Sequence, residues 1–311
     1  MRLLGLTGWL ILGLAFVASA QTLATSGKVS ATAESVCALR AAGAKHPDPK
    51  VRNPDYLAER FVGDAFWQAS PLRTHPERAR HNPIFFWVNA RTHHVDALLV
   101  EALSQGATQV VNLGAGFDSR AYRFRDRFPQ VRFFELDLPA TIAAKRERVV
   151  KIFGAVPDRV VLVPTDFTAH PLDKVLRDAG YDSAQRTFFI WEGVTMYLPE
   201  AANLSTLRFI RSGSASGSSL VYDYVVDAAL RPDGGGLYGV KTTAAYLASV
   251  GEPLVTGWSA SQAAAIATRE GFVVVSDLGP AELTQRYLLG TDGEPDGMMA
   301  EVGRIMQVRV P

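Results

Sequence analysis

The chain has 311 residues, 48% of them hydrophobic and 20% charged, enough for one large α/β domain with an elaboration or for two small domains. Its 32 Lys and Arg nearly balance 31 Asp and Glu, so the net charge of +1 gives no global bias toward nucleic acid. The single cysteine, Cys37, excludes an intrachain disulfide and a cysteine-based zinc site, and the six histidines form no HExxH pattern. The adjacent pair His93-His94 would point about 100° apart on a helix, which argues against metal ligation.

In chain order, Met1-Arg2, the apolar run from Leu3 to Val17 and Ala18-Ser19-Ala20 carry the three parts of a secretory signal peptide. The run is short for a membrane span, and an uncleaved anchor is the other reading. Residues 1–20 are therefore expected to be a signal peptide or membrane anchor. They are the only expected route to a membrane; if used they imply an exported, periplasmic or anchored protein, and otherwise a cytoplasmic one. Residues 21–80 are read as a helical N-terminal cap, with helices over Ala33–Ala42 and Asp55–Phe66 and a loop interrupted by Pro47, Pro49 and Pro54. Residues 81–311 are read as the main domain. It opens on an amphipathic helix over Ile84–Leu103, in which Phe86, Val88, Val95, Leu98, Leu99 and Leu103 recur at helical spacing.

Strands then alternate with helices. Strands are expected at Gln109–Leu113, Val131–Leu136, Val160–Pro164, Thr187–Trp191, Ser219–Val225 and Phe272–Asp277. Helices are expected at Ser119–Asp126, Pro139–Phe153, Leu172–Ala179, Pro199–Arg211 and Ser261–Arg269. That alternation predicts right-handed crossovers and a mostly parallel sheet with helices on both faces. Arg304–Val310 is expected to close the sheet as an antiparallel edge strand. The glycine-rich stretches 231–236 and 291–297 are expected to be surface loops or lid segments.

Ligands of such sheets bind outside the carboxyl ends of the strands, and here those ends are chemically marked. Strand one ends in Gly114-Ala115-Gly116, strand two at Asp137, strand three at Asp166-Phe167 and strand four at Trp191-Glu192-Gly193. A glycine turn after a buried strand, with a carboxylate about twenty residues on to accept ribose hydroxyls, points to an adenosine-containing ligand. A dinucleotide site wants a third glycine and a helix start free for pyrophosphate. This chain has Ser119 at the third position and Asp118 before it, and a carboxylate there repels phosphate and suits a cap. S-adenosylmethionine has the same nucleoside and no phosphate. NAD is the weaker alternative.

Four segments taken together, Val-Asn-Leu-Gly-Ala-Gly-Phe-Asp-Ser-Arg (111–120), Phe-Glu-Leu-Asp-Leu-Pro (134–139), Thr-Asp-Phe (165–167) and Trp-Glu-Gly-Val-Thr-Met-Tyr-Leu (191–198), resemble the leucine carboxyl methyltransferase family in order and spacing. The resemblance runs from about Ala33 to about Leu289. It implies a class I methyltransferase fold, Rossmann-like, with a seven-stranded sheet whose last strand is antiparallel, under a helical cap. It also implies S-adenosyl-L-methionine as cofactor. By position, Asp137 matches the ribose ligand, Asp166 and Phe167 the pair beside the adenine, and Gly114 and Gly116 the close backbone approach. Glu192 matches a residue near the methionine part, and Arg91 the arginine that pairs with the cofactor carboxylate. The family's basic residue near the cap falls at Lys50 or Arg52.

Methyl transfer from a sulfonium needs alignment and exclusion of water more than acid–base help. A carboxylate acceptor requires no base, whereas a hydroxyl does, and no histidine sits at a strand end; His170 is a remote candidate. Tyr197 and Glu192 are the candidate catalytic residues, while Tyr222 and Tyr224 read as packing aromatics. The expected function is O-methylation of a carboxyl or hydroxyl group of a small-molecule acceptor, with no metal and no nucleic-acid partner. The alternatives are an NAD-binding oxidoreductase and an inactive, exported Rossmann-like binding protein.

Overall fold

The protein is described from a computed structural model over residues 29–166 and 169–311. Residues 1–20, read above as a signal or anchor, and Phe167 lie outside the described residues. Seven strands form one sheet: β1 (Gln109–Leu113), β2 (Arg132–Asp137), β3 (Val160–Pro164), β4 (Thr187–Trp191), β5 (Ser219–Val225), β6 (Val273–Leu278) and β7 (Gly303–Arg309). Their order is β3-β2-β1-β4-β5-β7-β6. The first five pair in parallel, and β7 runs antiparallel to both of its neighbours.

The central strands β1 and β4 are buried at every position, as continuous apolar runs covered on both faces must be. Alternate side chains leave to opposite faces. Val110, Phe188 and Ile190 pack toward the helices Pro83–Ser104, Pro139–Phe153 and Pro280–Tyr287, together with the helices of the N-terminal region. Val111, Leu113, Phe189 and Trp191 pack toward Leu172–Asp178, Glu200–Ser212 and Ala260–Arg269. Local chemistry sets the helix limits. Asn82 caps the first long helix ahead of Pro83, Ser259 and Gln262 form a capping box, and Pro139–Phe153 stops at Gly154 with φ +83°.

Four sequence expectations need correction. Strand β7 is not an edge strand: it lies between β5 and β6 and pairs antiparallel with both, so its backbone N–H and C=O groups find partners on either side. The edge on that side is β6, where Val273 and Val275 are 43% and 49% exposed. The helix expected at 55–66 is two short ones, Ala58–Phe61 and Asp64–Ala69, split by extended Val62 and Gly63. Gly63 N donates to Glu34 Oε2 (2.9 Å), and a Cβ there would meet Glu34 Oε1 and Arg148 Nη2. The helix after β1 shrinks to Arg120–Arg123, and Val240–Ser249 and Pro280–Tyr287 are additional helices. Among the described residues no helix is long and apolar enough to cross a membrane.

Candidate active site

The strand ends meet one cavity of about 700 Å³, within the usual size of small-molecule sites. Arg91, Gly114, Gly116, Asp137, Asp166, Glu192 and Tyr197 all line it. The glycine-rich stretches 231–236 and 291–297 do not. The cavity is covered instead by Thr243, Tyr246, Leu247 and Leu254 on one side and by the helix Ala31–Gly43 on the other.

At the end of β1 the chain turns through Gly114 (φ +78°) and Gly116 (φ +42°), left-handed conformations that favour glycine. A Cβ on Gly114 would also collide with Val194 Cγ2. The turn is stitched to β2: Gly114 N and Ala115 N both donate to Leu136 O (2.9 and 2.8 Å), and Gly116 N donates to Asp137 Oδ2 (2.7 Å). Leu138 N donates to Asp137 Oδ1 (2.7 Å), so both carboxylate oxygens are anchored by backbone. Burial pushes the Asp137 carboxyl above its ordinary range, against the pull of those N–H groups.

Glu192, at the end of β4, is held by two guanidinium groups. Arg120 Nη1 donates to its Oε2 (2.9 Å), and Arg91 Nε forms an ion pair with its Oε1 at 3.0 Å without the alignment of a hydrogen bond. Arg91 Nη1 donates to Asp223 Oδ2 (2.5 Å), whose other oxygen accepts from Gly193 N (2.6 Å). Arg120 also grips Asp96 Oδ1 (2.7 Å) and Asp118, and Asp118 accepts from Arg120 N (2.7 Å) at the start of the short helix. Burial works against the Glu192 charge, but Arg120 and Arg91 outweigh it and hold the carboxyl below its ordinary 4.5. Asp118 lies well below its ordinary 3.8, because the Arg120 and Lys145 charges overcome burial. Asp223 moves the other way: burial raises it despite Arg91.

Tyr197 ends the turn Thr195–Tyr197, and burial together with the nearby Glu252 charge keeps its phenol protonated, a donor rather than a base. Tyr222 and Tyr224 have partners in the packing: Tyr222 OH meets Met306 Sδ (3.0 Å), and Tyr224 OH donates to Asp277 Oδ2 (2.9 Å). The basic residue that the N-terminal helices bring to the cavity is Arg40, bound to Asp55 Oδ2 (2.9 Å) and Phe117 O (2.8 Å). Lys50 and Arg52 do not line the cavity, and Arg52 is spent on His46 O and Pro47 O. His170 is likewise outside; the histidine at the cavity is His81, on its exposed mouth. Asp223, Arg120, Arg40 and Glu252 were missed as site residues, and only Asp223 announced itself, as a charge within an apolar strand.

A profile of the leucine carboxyl methyltransferase family matches residues 33–211. The chain belongs to that family. Similar proteins carry the provisional name of S-adenosyl-L-methionine-dependent methyltransferase. One from Streptomyces coelicolor is 36% identical over 196 residues, covering 62% of this chain and 68% of that protein. Another from Mycobacterium ulcerans is 32% identical over 212 residues, covering 65% and 67%. The fold resembles the crystal structure of a DUF574 family protein from Streptomyces avermitilis, with TM-score 0.56 and 15% identity over 89% of this chain and 97% of that one.

In this methyltransferase the start of the helix after β1 does not favour a dinucleotide. Its first N–H is already taken by Asp118, and four residues make little helix dipole for a pyrophosphate. The lowered Glu192 pKa has a consequence for stability. A carboxyl held lower in the folded chain contributes stability that is complete above its unfolded value and is lost as pH falls through its folded one. Thermal melts from pH 6 to pH 3 should therefore fall steadily, and Glu192→Gln should flatten part of that fall; an unchanged slope would count against the ion pairs described above.

Proposed function

We propose that the protein transfers the methyl group of S-adenosyl-L-methionine to a carboxyl or hydroxyl oxygen of a small molecule with an apolar body. The observation that carries this reading is the two-sided cavity. The polar ends of β1 to β4 mark one part of it, while Phe66, Leu72, Ile84, Trp87, Leu247 and Leu254 give an apolar wall. Bound there, the cofactor supplies an electrophilic methyl on a sulfonium with a good leaving group.

The chain's residues fit that group. Asp137, anchored from behind by Gly116 N and Leu138 N, would accept the ribose hydroxyls. Asp166 and Phe167 would flank the adenine, and Gly114 and Gly116 would let the backbone approach. Arg91, oriented by Asp223 and Glu192, would take the cofactor carboxylate, with Glu192 near the methionine part. Asp118, Asp137, Asp166, Glu192, Asp223 and Glu252 line the cavity against only Arg40 and Arg91, a balance that suits a cationic cofactor. Tyr197 would donate a hydrogen bond near the reacting end. A carboxylate acceptor needs no base, and a hydroxyl acceptor would have His81 at the mouth to take its proton.

The test is to incubate the purified protein with methyl-labelled S-adenosylmethionine and parallel panels of hydrophobic carboxylic acids and phenols, reading label transfer and S-adenosylhomocysteine release. Transfer to polar polyanions alone would overturn the acceptor class, and transfer only to amines would overturn O-methylation. Export or anchoring through residues 1–20 is a separate proposal, read by fractionating cells that express the full chain.

A further inference from the structure

Lys145 is wholly buried, yet it lies outside the cavity lining. Its ammonium is 2.6 Å from Glu135 Oε1 and 3.3 Å from Ala115 O, and the other oxygen of Glu135 accepts from Tyr122 OH at 2.8 Å. Glu135 and Tyr122 are 1% and 3% exposed. A buried ion pair is poor value for stability, because stripping water from both charges costs about what their attraction returns. Apolar residues of the same size would serve a core as well or better. The location of this pair is informative. Ala115 is the middle residue of the glycine turn, whose three N–H groups are fixed by β2; its carbonyl accepts from Asp118 N (2.9 Å) within the turn and from Lys145 Nζ (3.3 Å), the side chain that ties it across to β2. Glu135 lies two residues before Asp137 on β2 and so on the same face. One ammonium thus ties the turn to the strand that carries the proposed ribose ligand.

We propose that Lys145, backed by Glu135 and Tyr122, is a positioning residue: it holds the Ala115 carbonyl against β2 so that the Asp137 carboxylate, anchored by Gly116 N–H, is set for the cofactor before it arrives. This rests on the cofactor reading above. Preorganisation of this kind appears in affinity, because the cost of ordering the turn is met at folding rather than at binding.

The experiment separates positioning from mere support of the fold. In the full chain, Tyr122→Phe, Glu135→Leu and Lys145→Met together remove all three polar groups and leave no orphaned charge. The expected result is a melting temperature equal to or above that of the wild type, with S-adenosylmethionine bound at least tenfold more weakly by calorimetry. A folded triple variant with wild-type affinity overturns the proposal. If the triple variant does not fold, Glu135→Asp keeps both charges and shortens the tether by one methylene; weakened binding at unchanged melting temperature supports positioning, and unchanged binding overturns it. Wild-type protein that binds no S-adenosylmethionine would remove the cofactor reading itself, a failure visible before any variant is made.

Discussion

Asp137→Ala should weaken S-adenosylmethionine binding on the order of a hundredfold, about 2.8 kcal/mol at 1.4 kcal/mol per decade. Two ribose hydroxyls donating to one ionised carboxylate supply that much at about 1.5 kcal/mol each. The fold should survive, for a reason visible in the site. Burial raises the Asp137 carboxyl above its ordinary value in the folded chain. An acid raised on folding loses stability as pH rises from its unfolded toward its folded pKa, so its charge at neutral pH works against the fold. Alanine removes that penalty while freeing Gly116 N and Leu138 N, and the two changes partly cancel. Calorimetry and a thermal melt on the same sample check both halves. Binding within threefold of the wild type would sink the ribose assignment, and a collapse of the melt would make Asp137 structural.

Arg91→Met should be the opposite case, a substitution at the cavity that is felt mainly as lost stability. The guanidinium, 7% exposed, is shared by Glu192 and Asp223, whose side chains are 13% and 1% exposed. Removing it leaves Asp223 buried without its cation, and breaking a buried pair in this way costs about 3–5 kcal/mol. Urea denaturation should show that loss, with a large part regained when Asp223→Leu is added, since the second change removes the stranded charge. A loss under about 1 kcal/mol would mean that the network is as weak as a surface pair. Arg91→Lys should recover charge but not the fork that reaches both carboxylates.

These two residues also show what was legible in the amino-acid order. Asp137 could be found because β2 is a short apolar run that ends in a carboxylate, and each of β1 to β4 ends at or beside a glycine, a proline or a charge. For the same reason four of the seven expected strand starts match, and the other three are one residue off: β2 and β6 begin one residue late and β7 one residue early. The partners of Arg91 were not legible, since its pairings to Glu192 and Asp223 span about a hundred residues or more. Glu252 binds Ala31 N (3.0 Å) and Thr32 Oγ1 from over two hundred residues away, and no local spacing announces it. The break at Gly63 likewise depends on Glu34 and Arg148, which reach it from two other helices. Periodicity reports which face of an element is covered; it is silent on which distant side chain does the covering.

The place of β7 bears on how the chain comes to be folded. It pairs along the whole of β5 and along most of β6, and Ser218 and Val310 add a further bond beyond the ladder. It is also the last of the seven described strands along the chain. Until residues 303–309 exist, β5 presents an open edge of unpaired N–H and C=O groups and β6 has no partner strand. The site-bearing half of the sheet, β1 to β4, can pair as it is made, while the other half waits for its central piece. A translating ribosome therefore carries an aggregation-prone edge for about eighty residues of synthesis, several seconds at the usual rate, and early ligand binding would leave that edge untouched.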